Sequence, residues 1–476
     1  MICAVLWQNF LTLVVVYPMA FDTSVGKRSS KLRRQDRFWK YCCLILLIAA
    51  GLILYTVNLS SLTLSESEGT TAQIARQILS APPNLTKWLF PPFLLNSEPV
   101  MRSPFLPDLV AFSYYLGGIS PLTTRLPIAL LGALSTGLLY GIGRELFKGT
   151  SAILCTCCVY TTLFPAISGG RIATVDTPLV FWSMFTFWAI LRSRRSLRWS
   201  LISGLGIAFV GLTHTWSLLP LSIIILWFLA WDTPRLLRCP HFYYGLVLGM
   251  MPLIVWWIAQ GKYYDTPLIF PDYKGYWASF LTNISGYKES LNGLNWFSAS
   301  TTFPFYSLIF YICSPWFVIG FYGFRFAWYY RNWGWAKFIL VGSITCGVFI
   351  IFNLISGLVA GESTNFYWYG LPFYPILALA AGIQLHQLRN LPSYINYPLT
   401  WSRIFGCSGI IVVLLGLYSN YVLKVDFNWL LLSIFASLAL TLGIAAVLLK
   451  RKDIQFMNVL IWGSYISLLL FFGSQY

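Results

Sequence analysis

The chain has 476 residues, of which 57% are hydrophobic and only 10% are charged. A soluble protein of this length would carry about 25% charged residues, so the composition excludes an ordinary soluble globular protein. The net charge of +17 does not indicate nucleic-acid binding, because the basic residues stand in short runs between apolar segments, as the positive-inside rule requires. We therefore expect an integral membrane protein whose partner is the lipid bilayer and which binds no nucleic acid.

Residues 1–40 join an apolar segment, 1–21, to a basic stretch. The apolar segment is a further anchor, a signal-like segment, or an upstream extension of a chain that starts at Met19. An extension or a segment lying on the membrane surface is favoured over an additional span. Residues 41–390 are predicted to form the transmembrane core, and residues 391–476 to add spans without a soluble domain.

Thirteen apolar segments follow, and each is a candidate for the run of about 20 apolar residues that crosses a bilayer. They are 41–58, 124–145, 151–168, 174–192, 199–214, 216–231, 241–260, 302–324, 337–359, 367–386, 403–422, 428–449 and 455–473. The predicted fold class is therefore an all-α integral membrane protein with about 13 transmembrane helices.

The charges set a sidedness for these spans. If the first span runs from inside to outside, nearly every basic cluster falls in an inner loop, and ten of the 15 acidic residues fall on the outer side. The two long loops, 59–123 and 261–301, then lie outside. We expect a multi-pass protein of the plasma (inner) membrane with a cytoplasmic N-terminus, a periplasmic or extracellular C-terminus, and its chemistry on the outer face.

The first outer loop begins with a segment, 65–76, that holds two of the scarce acidic residues, Glu66 and Glu68. Apolar residues recur there at helical spacing while Arg76 faces elsewhere, so we predict an amphipathic helix on the membrane surface. The acids at its start are explained either by their favourable interaction with a helix N-terminus or by a role in handling a polar substrate carried on a lipid. The apolar stripe consists of Ile74, Ala75, Ile78 and Leu79.

Arginines on the outer side run against the positive-inside trend and so need an explanation. Arg102 is explained by a phosphate partner, which a guanidinium group binds through paired hydrogen bonds, or by an ion pair with Glu98 or Asp108. Arg171 and Asp176 lie next to the start of a span. At that border Asp176 needs a charge partner, either Arg171 or Arg102.

Two further outer features have both a functional and a structural explanation. His214 lies at a predicted outer turn, where a lone histidine is more often structural than catalytic. The loop 261–301 mixes aromatic and charged residues, which suits a loop that covers a sugar or a lipid phosphate and suits a plain interfacial loop almost as well.

Motifs for other chemistries are absent from the sequence. No phosphate-binding loop, nucleophile elbow or His/Cys metal spacing occurs. Cys155, Cys157 and Cys158 are close enough to suggest a metal cluster, but inside an apolar helix they are better explained as small packing residues. No cysteine pair falls in a predicted outer loop, so no disulfide framework is implied. We predict no cofactor and no dedicated metal site.

The order of these motifs resembles that of the GT-C membrane glycosyltransferases, specifically the protein O-mannosyltransferase and lipid A aminoarabinose transferase group. The resemblance covers roughly residues 41–390 and includes the number of spans. Each motif alone is weak, but their order and sidedness together are fairly specific. The motifs are Ser67-Glu68, Glu98 to Pro104, Thr124-Arg125-Leu126-Pro127, Gly170-Arg171, Asp176-Thr177-Pro178 and Tyr369 to Pro375.

The resemblance implies transfer of a sugar from a polyprenyl-phosphate donor to a lipid, glycan or protein hydroxyl on the outer face. It implies a carboxylate base for the acceptor hydroxyl and basic residues for the leaving phosphate. Ser67 stands where the family has an aspartate, and serine cannot act as a carboxylate base. The predicted catalytic residues are Glu68, with Glu66 as its substitute, and the predicted substrate- or phosphate-binding residues are Arg102, Arg171, Asp176, Arg76 and His214.

A second function stays open because Ser67 replaces the family's aspartate and Met101 its later glutamate. The chain would then be a non-catalytic binder of lipid-linked sugars or an accessory subunit of a membrane complex. A transporter is less favoured, because the acids gather at one surface rather than at the membrane midplane and no inverted repeat is evident.

Overall fold

The computed structural model describes residues 30–61, 63–80, 94–95, 98–99, 104–147, 149–264, 315–360, 371–390, 397–421 and 429–473. They form helices and one short antiparallel strand pair, β1 (Leu94–Leu95) and β2 (Glu98–Pro99). The helices are α1 (Ser30–Thr56), α2 (Glu66–Ser80), α3 (Phe105–Gly117), α4 (Pro121–Leu146), α5 (Thr150–Tyr160), α6 (Phe164–Gly170), α7 (Asp176–Ser193), α8 (Arg198–Thr213), α9 (Leu218–Asp232), α10 (Pro234–Leu237), α11 (Pro240–Gly249), α12 (Met251–Tyr264), α13 (Pro315–Tyr329), α14 (Gly334–Ala360), α15 (Phe373–Asn390), α16 (Tyr397–Tyr421), α17 (Trp429–Lys450) and α18 (Phe456–Gly473). The predicted helical fold class is confirmed. The apolar segment 1–21 and the loop 261–301 beyond Tyr264 lie outside the described residues.

Each of the thirteen predicted spans overlaps a helix or a pair of helices. Two spans are helix pairs bent at a short break, α5 with α6 by 56° and α11 with α12 by 49°. The part of the chain that the structure describes therefore holds five clear spans, or seven with the bent pairs, and the total of thirteen stays a prediction. The five are Pro121–Leu146, Gly334–Ile351, Leu399–Leu417, Ser433–Lys450 and Phe456–Gly473.

The largest buried apolar cluster joins many of the long helices into one bundle. The ring of Phe338 in α14 meets those of Phe187 in α7 and Phe228 in α9 edge-on, with ring centroids 5.4 and 5.3 Å apart. This is a favourable geometry for aromatic pairs. Because lipid tails are as apolar as these side chains, close packing rather than exclusion from water holds such helices together.

Glycines permit a close approach between α8 and α11. A Cβ atom on Gly249 would meet the carbonyl oxygen of Leu201 and would lie 2.6 Å from the backbone nitrogen of Leu205. Both are backbone atoms and cannot turn aside as a flexible side chain can.

We therefore expect Gly249→Ala to lower the free energy of unfolding by about 1–3 kcal/mol, the usual cost of overpacking. Gly443→Ala is the matched control, because a Cβ atom there would meet nothing within 4 Å and alanine favours the helix over glycine. Thermal unfolding of both purified variants in detergent checks the pair. If the two variants unfold at the same temperature, the contact between α8 and α11 has room for a Cβ atom at position 249 and the prediction is wrong.

The predicted span 151–168 is broken between α5 and α6. The hydroxyls of Thr161 and Thr162 donate to the carbonyl oxygen of Cys158, at 3.0 and 2.8 Å, and so satisfy a backbone group left free where α5 ends. The cysteines of α5 are buried and form no disulfide, which fits small packing residues. After the break, α6 leads directly to Arg171.

Two short helices, α2 and α3, pack together beside the ends of the spans. The residues of the predicted stripe in α2 turn inward, and Arg76 is exposed, so the amphipathic helix is confirmed. The hydroxyls of Tyr114 in α3 and Thr124 in α4 share a hydrogen bond of 2.6 Å. This bond fixes the α2–α3 layer to the first turn of a long span. The inward-facing residues of α2 are Ala72, Ile74, Ala75 and Ile78.

Candidate active site

Glu68 lies in the first turn of α2, and its side chain is 1% exposed. Its Oε1 atom accepts from Arg125 Nε at 2.7 Å and from the backbone N–H of Ala173 at 2.9 Å. Its Oε2 atom accepts from Arg125 Nη2 at 2.8 Å and from the N–H and hydroxyl of Ser65 at 2.9 and 3.1 Å. A carboxylate offers about four lone-pair sites, so these five donors occupy the group fully.

The electrostatics keep Glu68 ionised. Burial by itself raises the pKa of a carboxyl group, but the hydrogen bonds from Arg125, Ala173 and Ser65 outweigh it and hold the pKa of Glu68 below its ordinary value. A carboxylate with a lowered pKa and no free lone pair is a weak proton acceptor. The geometry therefore suits Glu68 for positioning its neighbours.

Arg125 stands in the motif Thr124-Arg125-Leu126-Pro127, but the sequence did not predict it as a site residue. Besides its fork to Glu68, it donates from Nη1 to the carbonyl oxygen of Leu59 at 2.9 Å and from Nη2 to that of Thr63 at 3.0 Å. One guanidinium thus joins α4, the loop after α1, and α2. The available signal was its place in an apolar helix on the predicted outer side, where an arginine runs against the positive-inside trend.

Arg171 is also buried, 6% exposed, and turns toward the end of α1. Its Nη1 atom donates to the carbonyl oxygens of Leu54 and Tyr55 at 2.9 and 3.4 Å, and its guanidinium carbon lies 4.4 Å from the centroid of the Phe472 ring in α18. Burial, with the nearby charge of Arg125, lowers the pKa of Arg171 to about 10, so it stays cationic. Among the described residues, no ion pair joins Arg171 to Asp176.

Asp176 and His214 are held by local contacts. Asp176 opens α7, and its Oδ2 atom accepts from the hydroxyl of Thr174 at 3.1 Å. His214 lies one residue beyond α8, and its Nδ1 atom shares a hydrogen bond of 2.9 Å with the hydroxyl of Ser217.

The start of α2 carries the remaining candidates. Ser67 is exposed, and its hydroxyl oxygen lies 3.2 Å from that of Ser65. Glu66 is the first residue of α2, and its side chain lies outside the described set, as does the whole of Arg102. Arg76 is exposed farther along α2.

The structure therefore brings some predicted residues together and leaves others apart. Glu68 binds Arg125 and the backbone of Ala173 in the loop between α6 and α7, and the charge of Arg125 lies near enough to Arg171 to lower the pKa of Arg171. We call Ser65, Glu68, Arg125 and Ala173 the Glu68 clamp. It fixes the exposed Ser67 and the backbone of Glu66 against the ends of α1, α4 and α6.

No group of three histidine, cysteine or acidic residues that could hold a metal ion occurs in the ranges that the structure describes. The absence of a dedicated metal site in the whole protein stays a prediction.

Comparison with solved structures fixes the fold. The chain matches the crystal structure of ArnT from Cupriavidus metallidurans bound to undecaprenyl phosphate, with a TM-score of 0.64, 18% identity, and coverage of 90% of this chain and 76% of that one. The chain has the ArnT fold. The apo form of the same ArnT matches with the same TM-score, identity and coverage. The resemblance to GT-C proteins of this group, first seen in the order of motifs, is confirmed.

Sequence comparison finds a family model that matches about a third of the chain. Residues 101–258 match the family model described as dolichyl-phosphate-mannose-protein mannosyltransferase. That region contains five residues considered for the site, which are Arg102, Arg125, Arg171, Asp176 and His214. No curated protein sequence matches the chain.

Proposed function

We propose that the protein is a membrane glycosyltransferase that moves a sugar from a polyprenyl-phosphate donor to a hydroxyl of a lipid, glycan or protein on the outer face of the inner membrane. The observation that carries this proposal is the Glu68 clamp, which holds a polar, partly exposed segment rigidly at the ends of an apolar helix bundle. Such a fixed polar site beside the bilayer suits a substrate with a lipid tail and a polar head. The mannosyltransferase family match and the undecaprenyl phosphate bound by ArnT support the same substrate class.

The reaction would join the acceptor to the sugar in one displacement. The acceptor oxygen forms a bond to the anomeric carbon of the sugar, and the bond from that carbon to the phosphate oxygen breaks. The polyprenyl phosphate leaves with the bonding electron pair, and the hydroxyl proton passes to a base. A base of this kind contributes roughly 10²–10⁴-fold to the rate.

We assign the base to Glu66 and a positioning role to Glu68. The carboxylate of Glu68 already accepts hydrogen bonds at all of its lone pairs, and Ser67 carries no carboxylate. Glu66 is the remaining acidic residue at the start of α2, so we assign the proton transfer to it. In this proposal Arg102 and Arg76 contact the donor phosphate. Arg171, fixed by the backbone of α1, adds positive charge nearby.

A non-catalytic lipid-linked sugar binder is the second candidate. The observation that favours it is the combination of Ser67 in the place of the family's aspartate with a fully engaged Glu68 carboxylate. Such a protein would bind the donor, and the sugar would remain on its lipid.

Purified protein in lipid nanodiscs, given polyprenyl-phosphate mannose, glucose or arabinose labelled in the sugar, tests both candidates. The transferase predicts release of polyprenyl phosphate and labelled product with the membrane extract of the host as acceptor source. The binder predicts saturable retention of one labelled donor without release. If no donor is retained and none is consumed, both candidates are wrong.

A further inference from the structure

The last of the described helices, α18, contributes an aromatic ring to the surroundings of Arg171. The guanidinium carbon of Arg171 lies over the ring of Phe472, 4.4 Å from its centroid. Both residues are buried. Phe472 lies outside residues 101–258, the region that the family model matches, and it belongs to none of the motifs that carry the family resemblance.

The Phe472 ring is itself held by the helix that leads to Arg171. It stacks nearly parallel on the ring of Phe164, the first residue of α6, with centroids 5.9 Å apart and an interplanar angle of 6°. Phe471 meets the same Phe164 ring edge-on, with centroids 5.4 Å apart. Because Arg171 directly follows α6, the stack joins α18 to the helix that places the arginine.

Hydrogen bonds fix α18 to α1 and to the residues that follow α1. The side-chain Nδ2 atom of Asn58 donates to the carbonyl oxygen of Gly473 at 2.9 Å. The hydroxyl of Tyr465 donates to the carbonyl oxygen of Ala50 at 3.1 Å. Since Arg171 Nη1 donates to carbonyl oxygens at the end of the same helix α1, its guanidinium is held by the backbone of α1 and by the aromatic face of α18.

This arrangement leaves N–H donors of Arg171 available to an anion. A guanidinium group has five N–H donors, and within the described part of the chain only those on Nη1 meet acceptors. Among the described residues, no carboxylate forms an ion pair with Arg171. The Phe472 ring offsets part of the positive charge through its electron-rich face, and a bound phosphate would supply the opposite charge that a buried cation requires.

Arg171 needs support because it lies near a second positive charge. The charge of Arg125 lowers the pKa of Arg171, which means that the two cations repel each other. A cation held between carbonyl oxygens and an aromatic face resists this repulsion, since both contacts favour the charged group at one place. Without the ring, the Arg171 guanidinium would be free to turn away from Arg125 and from an anion bound beside it.

We propose that Phe472 is a positioning residue of the donor site, which holds the Arg171 guanidinium where its remaining N–H donors meet the phosphate of the lipid-linked sugar. Helix α18 is then part of that site. This inference rests on the proposed function and adds a residue that acts through Arg171 rather than by touching the substrate.

Equilibrium binding of radiolabelled farnesyl phosphate to the purified protein in detergent tests this role, because the probe carries the phosphate on a short polyprenyl chain. Phe472→Leu keeps an apolar side chain and removes the aromatic face. The affinity should fall by about 10-fold, because it scales with the fraction of molecules whose Arg171 is correctly oriented and a cation–π contact changes that fraction by roughly this factor. Phe472→Tyr keeps the ring and should bind within about 2-fold of the wild type.

Phe471→Leu is the matched control for lost packing. It removes a neighbouring buried ring that also contacts Phe164, so its thermal unfolding midpoint should fall about as far as that of Phe472→Leu while its affinity stays close to that of the wild type. The Arg171→Met background then tests whether Phe472 acts through the arginine. Arg102 and Arg76 should retain measurable binding in this background, and adding Phe472→Leu should change the affinity by less than about 2-fold, because coupled residues have non-additive effects.

Three results would overturn the positioning role while the proposed function stands. The first is unchanged affinity of Phe472→Leu, and the second is an equal loss of affinity in Phe471→Leu. The third is an undiminished loss when Phe472→Leu is added to Arg171→Met, which would show that the ring acts independently of the guanidinium. If the wild type does not bind farnesyl phosphate, the proposed function fails and the positioning role fails with it.

Discussion

Replacing Arg125 with alanine should cost roughly 3–5 kcal/mol of stability, because the variant leaves the Glu68 carboxylate buried without its charge partner. Glu68 is 1% exposed and receives two of its five hydrogen bonds from Arg125. The Leu59 and Thr63 carbonyl groups lose a donor in the same variant. The measurement is the yield of monodisperse protein after detergent extraction, followed by its thermal unfolding midpoint.

A double variant distinguishes an unpaired charge from lost packing. Arg125→Met combined with Glu68→Leu removes both ions, and replacing a whole buried pair with apolar residues is often close to neutral. We expect the double variant to recover most of the stability that Arg125→Ala loses. It should stay inactive in the transfer assay, because α2 is no longer fixed to α4 and to the loop before α7.

Arg195→Ala is the control for charge loss. Arg195 Nη2 lies 3.1 Å from Glu145 Oε2, but the Arg195 side chain is 72% exposed. The Glu145 side chain is only 5% exposed, but it keeps Arg192 Nε at 3.4 Å when Arg195 is removed. A pair whose arginine is exposed contributes about 0–1 kcal/mol, so this variant should unfold within a degree or two of the wild type. If Arg125→Ala unfolds no earlier than Arg195→Ala, the Glu68 clamp is not a stabilising element.

The Glu68–Arg125 pair also makes the stability of the protein depend on pH, in a direction that can be predicted. The pKa of Glu68 is lowered in the folded protein, so its stabilising contribution is full above the pKa of an unfolded glutamate, about 4.3, and is lost as the pH falls through the folded pKa. The double variant lacks this carboxylate. Its stability relative to the wild type should therefore rise as the pH is lowered below about 4.

Local patterns explain the parts of the fold that the sequence predicts well. The apolar stripe of α2 is visible at helical spacing, and the structure buries Ile74 and Ile78 while Arg76 stays exposed. The ends of α4, Pro121 and Leu146, fall within three residues of the predicted span 124–145. Both features depend on residues a few positions apart, which periodicity can detect.

Long-range pairing explains what the sequence did not show. Glu68 and Arg125 are 57 positions apart, and nothing local connects them. The resemblance made Glu68 the predicted base, whereas the structure engages its carboxylate in five hydrogen bonds from three residues in separate segments, Ser65, Arg125 and Ala173. Arg171 likewise donates to the carbonyl oxygens of Leu54 and Tyr55 at the end of α1, more than a hundred positions earlier in the chain, and nothing local in the sequence predicts this contact.

Glu66 is the residue on which the chemistry of the proposal depends. Replacing it with glutamine should lower the transfer rate by roughly 10²–10⁴-fold, the contribution of a general base, because glutamine keeps the size of the side chain and cannot take up a proton. Glu66 opens α2 beside the exposed Ser67. The unfolding midpoint should stay close to that of the wild type. The measurement is the single-turnover rate with donor at saturating concentration.

Ser67→Asp and Gln73→Ala complete the experiment. Aspartate at position 67 supplies the carboxylate that the related transferases have there, so Ser67→Asp should restore transfer in the Glu66→Gln background. Gln73 is exposed on the same helix, and Gln73→Ala should leave the rate unchanged. Full activity of Glu66→Gln would refute Glu66 as the base. An inactive wild type that gains transfer through Ser67→Asp alone would instead identify the protein as a binder that lost its catalytic carboxylate at this one position.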